Sequence, residues 1–250
     1  MENNRPTIID FVEKYTHQFA GNVYLREKVD GVWKEITQEQ TRKEAYRIGA
    51  GLMALGLQKG EKIALLSESR AMWILAELGA LYAGAVDVPL SVNLGEGQDL
   101  LFRIHHSEAK WILVSANQLA KIRAIIGECP DVRKVIVFDD TAFNVDSLQE
   151  GEIRMSEVQK LGDEFLASSR EQFEARYRSV GPDDYANISY TSGTTADPKG
   201  ILLTHRNYTA NVEQGHSVIS IGENEVMHIC NGILLSHKKN EIIIFAVTWM

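Results

Sequence analysis

One short segment of the chain combines hydroxyl groups, glycines and a lysine in a pattern suited to holding an anion. It runs from Tyr190 to Gly200 with the order Tyr-Thr-Ser-Gly-Thr-Thr-Ala-Asp-Pro-Lys-Gly, and we call it the hydroxyl-rich segment. Hydroxyl groups and backbone N–H groups can donate hydrogen bonds to one anion, while Lys199 adds a positive charge. The pattern therefore predicts binding of a polyphosphate. The hydroxyl residues of the segment are Tyr190, Thr191, Ser192, Thr194 and Thr195.

Two common phosphate-binding motifs do not match this sequence. A P-loop of the Walker type has glycine directly before the lysine and Ser or Thr directly after it. Here Pro198 precedes Lys199 and Gly200 follows it. The dinucleotide-binding fingerprint needs a longer glycine pattern between a strand and a helix. The stretch Gly95-Glu96-Gly97 has only a fragment of that pattern, which favours an ordinary turn.

Apolar runs and helix signals alternate along the chain before this segment, which predicts a mostly parallel sheet. A capping box from Thr37 to Gln40 predicts the start of a helix that ends near Gly56. The fold class is therefore predicted to be α/β, with sheets flanked by helices. Further strands are predicted at 62–67, 86–90, 111–114 and 132–138, and further helices at 71–83, 97–106 and 117–126.

The hydroxyl-rich segment is predicted to lie between two strands. Ala186–Tyr190 is a short apolar strand that leads into it, and Gly200–Leu203 is a strand that leaves it. Thr204 is placed to cap a helix that runs to about Ile219. The segment should therefore be fixed at both ends by regular structure.

A long charged helix is predicted ahead of these strands. It covers Ser156 to Val180, and Ser156-x-x-Gln159 is a second capping box at its start. Because this helix would bridge two halves of the fold, we expect two subdomains. The first, 1–165, would be one α/β subdomain, and the second, 166–250, would be the truncated start of another that carries the hydroxyl-rich segment.

The composition is that of a globular protein without a surface for nucleic acid. Of the 250 residues 44% are hydrophobic and 24% are charged, and the formal net charge is −8. Since no basic tract is present, nucleic acid is not an expected partner. Cys129 and Cys230 lack metal-ligand spacing, which indicates free thiols in a reducing compartment. Neither a signal peptide nor an apolar run of about 18 residues is visible, which predicts a cytoplasmic protein.

Two adjacent histidines, His105 and His106, are a further candidate for chemistry. Neighbouring residues of a helix point in different directions, so this pair cannot share one helical face as metal ligands. The pair is therefore interpreted as the end of a helix.

The hydroxyl-rich segment resembles the signature phosphate loop of the adenylate-forming superfamily. That superfamily includes acyl- and aryl-CoA synthetases, luciferases and peptide-synthetase adenylation domains. The pattern Thr-Ser-Gly-Thr-Thr-Gly-x-Pro-Lys-Gly is matched throughout except at Ala196, where glycine is usual. The residue pattern of the chain is most similar to that of long-chain fatty acyl-CoA synthetases. The resemblance spans about 7–219 and includes segments within Gly51–Ala64, Ser67–Trp73, Gly79–Leu90 and Thr204–Asn207.

This resemblance implies the N-terminal part of the large domain of an adenylate-forming enzyme, and a two-step reaction. A fatty acid carboxylate attacks the α-phosphate of ATP to give acyl-AMP and pyrophosphate, and the thiol of coenzyme A then displaces AMP. Lys199 is implied to pair with the β- and γ-phosphates. Thr194 or Thr195 is implied to lie near a Mg²⁺ ion. The implied donors to the phosphates are Thr191, Ser192, Gly193, Thr194 and Thr195.

The chain departs from the family after this segment. Long-chain relatives have Leu-Pro-Leu-Ser-His, whereas Gly232–Glu241 keeps Ser236-His237 but lacks the proline. His237 is implied to be either a catalytic residue that guards the entrance for the acyl group and ATP, or an ordinary surface histidine.

Later motifs of the family have no counterpart in the 250 residues, including those with the Mg²⁺-binding glutamate, the ribose-binding aspartate and the C-terminal lysine. We therefore expect the N-terminal portion of a long-chain fatty acyl-CoA synthetase, inactive as an isolated chain. Two alternatives stay open: another adenylating ligase for aryl or medium-chain acids, and a truncated paralogue that binds nucleotide or a partner without catalysis. Fatty acid, ATP and coenzyme A are the implied partners. Peripheral membrane contact through the lipid substrate and a homodimer are further options.

Overall fold

The computed structural model describes residues 6–95, 97–138, 148–191 and 198–218, and two short strands at 226–227 and 235–236. None of the helices in these ranges has the length and apolar character needed to cross a bilayer. The helices are α1 (Ile8–Phe19), α2 (Gln38–Ala54), α3 (Ala71–Tyr82), α4 (Gln98–Ser107), α5 (Leu119–Ile125), α6 (Met155–Arg178) and α7 (His205–Val218). The strands are β1 (Val23–Val29), β2 (Val32–Thr37), β3 (Lys62–Leu66), β4 (Val86–Leu90), β5 (Ala109–Val114), β6 (Lys134–Val137), β7 (Glu152–Arg154), β8 (Tyr185–Thr191), β9 (Lys199–Thr204), β10 (Val226–Met227) and β11 (Leu235–Ser236).

Seven of these strands form one sheet in the order β7-β6-β5-β3-β4-β8-β9. Neighbouring strands are parallel except for β8 and β9, which are antiparallel. Because β3 lies between β4 and β5, the connections that follow β3 and β4 pass over opposite faces of the sheet. This arrangement confirms the predicted α/β class, with a largely parallel sheet flanked by helices.

Both faces of the sheet are buried, which explains why its central strands are apolar at nearly every position. On one face, Ile63 and Leu65 belong to a core that includes residues of α2, α3 and α6. On the other face, Ala64 and Leu66 belong to a core that includes residues of α4 and α5. Alternate residues of one strand therefore serve two separate cores.

Local sequence signals set both ends of α2 as predicted. Oγ1 of Thr37 accepts the N–H of Gln40 at 3.2 Å, and the Gln40 side chain accepts the N–H of Thr37 at 2.8 Å, which confirms the capping box. Gly56 ends the helix with a φ of +95°. That left-handed conformation costs glycine little because it has no Cβ.

The capping box predicted at Ser156 is wrong. The helix α6 begins at Met155, its N-cap is Arg154, and no side chain makes the capping hydrogen bond. β7 ends at Arg154 and runs directly into the helix. The pairing of β7 with β6 therefore fixes the start of the helix, and Ser156 already lies inside its first turn.

Helices α2 and α6 approach each other so closely that glycine is required on both. A Cβ added to Gly51 would overlap the carbonyl oxygen of Val158, and one added to Gly162 would overlap the carbonyl oxygen of Arg47. These obstacles are backbone atoms, which cannot rotate away as a side chain can. The contact fixes α6 across α2 and thereby sets the path of the chain from β7 to β8.

Strands from both sides of the expected subdomain boundary lie in the same sheet. β8 follows residue 166 in the sequence, yet it pairs with β4 through Asp87 and Asn187. The division into 1–165 and 166–250 stays a prediction. The two parts share this sheet.

Replacing Gly162 with alanine is expected to lower the free energy of unfolding by about 2 kcal/mol or more, because the new methyl group must displace the backbone of α2. Gly215 of α7 is a matched control, since it is also helical but has no atom within 4 Å of an added Cβ. Gly215→Ala is expected to be neutral or to stabilise by up to about 1 kcal/mol. Urea denaturation of both variants measures the difference, and equal effects would contradict the close contact.

Candidate functional site

β8 and β9 form an antiparallel pair whose ends adjoin the hydroxyl-rich segment. Tyr190 pairs with Gly200, and Thr191 pairs with Lys199; we call these four residues the loop base. Residues 192–198 thus connect two strands that stay in register up to the segment, which confirms the strand predicted on each side. The other predicted site residues, Ser192, Gly193, Thr194, Thr195 and His237, lie outside the described residues.

The loop base brings two of the predicted phosphate ligands together. Thr191 and Lys199 are cross-strand neighbours, and both are exposed. Directly paired residues of antiparallel strands have Cβ atoms about 4.5–5.5 Å apart and point to the same face. A hydroxyl group and an ammonium group can therefore contact one anion from that face of the hairpin.

Tyr190 is held under the last turn of α4. Its side chain is buried, and its hydroxyl group donates a hydrogen bond to the carbonyl oxygen of Arg103 at 3.2 Å. The same hydroxyl lies 2.9 Å from Nδ1 of His106. The Arg103 guanidinium lies 5.6 Å from the centroid of the Tyr190 ring, and the His106 ring meets that ring edge-to-face at 5.7 Å. The aromatic residue that begins the segment is therefore an anchor between β8 and α4.

Gly200 is needed because space is short at this point of the hairpin. A Cβ at Gly200 would lie 3.1 Å from Cγ2 of Ile188, and 3.4 Å from ring carbons of both His106 and Tyr190. A side chain there would have to push these neighbours apart. The glycine that closes the segment thus lets α4 pack directly against both ends of the loop base.

The start of α7 links β9 to the first helix of the chain. Oγ1 of Thr204 accepts the N–H of Asn207 at 3.3 Å, and the Asn207 side chain accepts the N–H of Thr204 at 2.8 Å, which confirms Thr204 as the cap. His205 is buried, and its Nδ1 accepts the N–H of Ile8 in α1 at 3.4 Å. Burial lowers the pKa of His205 to about 4, so its ring is neutral near pH 7. This histidine therefore acts as a structural link.

β4 and β8 meet at a buried polar pair. Asp87 and Asn187 are direct partners in the parallel ladder, and both are buried. The Asn187 amide donates a hydrogen bond to Oδ2 of Asp87 at 3.4 Å, and its Oδ1 accepts one from the Ser189 hydroxyl at 2.6 Å. Oδ1 of Asp87 has no hydrogen-bond partner among the described residues. The strand that leads to the loop base is thus joined to the parallel sheet beside an incompletely paired carboxyl group.

Glu77 of α3 is a second buried carboxyl group close to Asp87. Burial raises the pKa of Glu77 to about 8, and burial followed by the charge of Glu77 raises the pKa of Asp87 well above its usual range. Two tyrosines, Tyr24 and Tyr208, also have their pKa raised, first by burial and then by Glu77. Tyrosine hydroxyls, the Asn187 amide and the Val88 backbone thus interact with the two carboxyls, and burial favours a retained proton on the pair at neutral pH.

No metal-binding cluster accompanies the loop base in the described part of the chain, where no group of three His, Cys, Asp or Glu side chains could hold an ion. The predicted Mg²⁺ ligand Thr194 lies outside that part. The two adjacent histidines end α4, as interpreted from the sequence, and Nε2 of His105 hydrogen-bonds the carbonyl oxygen of Glu128 at 2.9 Å.

Sequence reasoning missed the buried carboxyls and the contact of His106 with the loop base. A signal for the carboxyls was present, because Glu77 interrupts the apolar run of α3 and Asp87 interrupts that of β4. An unpaired charge is expensive inside such elements. No comparable signal exists for His106, since its contact depends on how α4 packs against β8.

The buried carboxyl of Glu77 predicts that stability falls as pH rises from about 5 to about 8. The folded-state pKa of about 8 lies above the ordinary value of 4.5. Between these values the folded state binds one proton more than the unfolded state, so each pH unit costs up to about 1.4 kcal/mol. Glu77→Gln carries no charge and is expected to make this slope shallower, with the remaining slope due to the raised pKa of Asp87, and to be more stable than the wild type near pH 8.

Urea denaturation across this pH range measures the effect. Glu171→Gln is the control, because Glu171 is an exposed helical carboxyl and its replacement should leave the slope intact. If Glu77→Gln and the wild type lost stability equally, the raised pKa of Glu77 would be refuted.

Comparison with known proteins places these features in a family. A family model described as AMP-binding enzyme matches residues 12–235. The chain is 30% identical over 187 residues to Fatty acyl-CoA synthetase A of Dictyostelium discoideum, a match that covers 73% of this chain and 26% of that protein. It is also 30% identical over 211 residues to Long chain acyl-CoA synthetase 6, peroxisomal, of Arabidopsis thaliana, with 82% and 29% covered. The chain thus spans less than a third of the length of these relatives.

The fold is shared with solved structures. An apo structure of MbtA from Mycobacterium smegmatis superposes with a TM-score of 0.70 at 21% identity, and the match covers 88% of this chain and 38% of that one. The family match includes the sheet, both strands of the loop base and the whole hydroxyl-rich segment. On these grounds the chain belongs to the family of AMP-binding enzymes.

Proposed function

We propose that the hydroxyl-rich segment binds the triphosphate of ATP, and that the chain supplies this part of the site to an AMP-forming long-chain fatty acyl-CoA synthetase. The observation that supports the proposal is the pairing of Thr191 with Lys199. It holds a hydroxyl group and a cation at the two ends of a stretch rich in further donors. A triphosphate needs such an arrangement, because its charge has to be neutralised while its position is fixed.

In this proposal the residues of the segment make different contacts with the triphosphate. Lys199 pairs with the β- and γ-phosphates, and it stabilises the charge that builds up as pyrophosphate leaves. Mg²⁺ near Thr194 would supply further neutralisation of the phosphates. Hydrogen bonds to the phosphate oxygens come from hydroxyl and N–H groups of Thr191, Ser192, Gly193, Thr194 and Thr195.

The fatty acid is proposed as substrate because the two relatives described above are named as acyl-CoA synthetases, one of them for long chains. Coenzyme A is proposed as the acceptor on the same ground. The carboxylate of the acid attacks the α-phosphate to form acyl-AMP, and the thiol then displaces AMP. His237 as a catalytic residue, peripheral membrane contact, a homodimer and a cytoplasmic location stay predictions.

Lys199→Ala is expected to weaken the binding of Mg²⁺–ATP by about ten-fold or more, because a charge-assisted hydrogen bond to phosphate is lost. Isothermal titration of the 250-residue polypeptide with Mg²⁺–ATP measures the dissociation constant. Lys34→Ala is a matched control, since Lys34 is an exposed lysine on a strand of the separate β1–β2 hairpin. Equal affinities of the two variants would contradict the role of Lys199.

The 250-residue polypeptide is expected to show no fatty-acid-dependent exchange of pyrophosphate into ATP above background. Its residues include no counterpart of the family motifs for adenine and ribose. A natural protein that contains this sequence within a longer chain should show exchange with a long-chain fatty acid and less with an aryl or medium-chain acid. Exchange by the short polypeptide would refute the first expectation. Preference for an aryl acid, or no exchange with any acid, would favour the alternative ligase or the non-catalytic binder.

A further inference from the structure

His106 bonds one strand of the loop base and lies beside the other. Its Nδ1 lies 2.9 Å from the Tyr190 hydroxyl on β8, and its Cε1 would be 3.4 Å from a Cβ at Gly200 on β9. Tyr190 and Gly200 are direct partners, one position before the pair formed by Thr191 and Lys199. A single side chain of α4 therefore spans the hairpin next to its proposed phosphate ligands.

The helix that presents His106 is itself firmly held. Leu100 and Ile104 of α4 are buried in the core on that face of the sheet. Phe102 stacks on the His106 ring with centroids 5.2 Å apart. The exposed His106 ring is thus supported from the helix side by Phe102, on a helix that is packed into the core.

The roles of the atoms in this contact follow from the assignment of the one proton of the Tyr190 hydroxyl. Because the carbonyl oxygen of Arg103 can only accept, we assign that proton to the hydrogen bond of 3.2 Å with this oxygen. With this assignment, Nδ1 of His106 is the donor and the Tyr190 oxygen is the acceptor. The contact therefore requires a group that donates from the Nδ1 position.

We propose that His106 is a positioning residue for the loop base. By holding Tyr190 and covering Gly200, it fixes the separation of the two strands where Thr191 and Lys199 face the ligand. The identity of the ligand as ATP rests on the proposed function. The effect of His106 on the structure of the loop base does not. Its neighbour His105 is oriented differently and bonds the Glu128 carbonyl, so it offers a matched control.

The test combines amide hydrogen exchange with isosteric variants of the 250-residue polypeptide. His106→Ala is expected to speed exchange of the amides of the loop base about five-fold, the effect of losing one hydrogen bond in a locally opening unit. The amide nitrogen of asparagine matches the position of Nδ1, whereas that of glutamine matches Nε2. His106→Asn should therefore restore slow exchange, and His106→Gln should not. His105→Ala should exchange as the wild type does.

A double-mutant cycle identifies the partner. Tyr190→Phe removes only the hydroxyl, so its effect on exchange and that of His106→Ala should not add in the double variant. Additive effects, or equal exchange in His106→Ala and His105→Ala, would refute the proposal. A purely structural helix end would not distinguish the asparagine variant from the glutamine variant.

Titration with Mg²⁺–ATP separates this inference from the proposed function. If the wild type binds, His106→Ala should weaken binding about five-fold, with recovery in His106→Asn. Faster exchange of the loop base without any nucleotide binding by the wild type would support the role of His106 and contradict ATP binding by the polypeptide. Unchanged exchange and unchanged ATP binding in His106→Ala would refute the role of His106 and leave the proposed function intact.

Discussion

The pairing of β8 with β4 is the contact on which the described site depends. It joins the β8–β9 hairpin to the parallel sheet, and it does so at a single ladder pair, Asp87 and Asn187. Burial disfavours the charged forms of Asp87 and the nearby Glu77, which raises the pKa of both carboxyls. The apolar burial on both sides of the sheet offsets this cost. The strand that leads into the hydroxyl-rich segment is therefore held at a junction that is polar and enclosed.

Three elements from different parts of the sequence then fix the loop base around this junction. α4 holds Tyr190 and lies over Gly200, so that the two strands meet at a defined separation. α7 begins directly after β9, and its buried His205 accepts a hydrogen bond from α1. Thr191 and Lys199 stay exposed on this support. A polyanion site needs such support, because donors must be held in place before the ligand arrives.

The sequence predicted the strands and helix caps beside the segment better than it predicted the contacts between distant elements. The strands on each side of the segment, the Thr204 cap and the Thr37 capping box are all local signals, and the structure confirms them. The predicted capping box at Ser156 failed because β7 fixes the helix start one residue earlier. His106 was interpreted only as a helix end, which is correct for α4 but omits its contact with Tyr190.

By itself the sequence determined the type of element at most positions and the family resemblance, and the phosphate-binding role of the segment is inferred from it. These depend on residue order over short stretches, where hydrogen bonding and periodicity act locally. Only the tertiary structure decided that Asp87 would meet Asn187, that Gly51 and Gly162 would allow two helices to touch, and that His106 would reach the loop base. Such contacts join residues about a hundred positions apart, and their geometry follows from the packing of whole helices on the sheet.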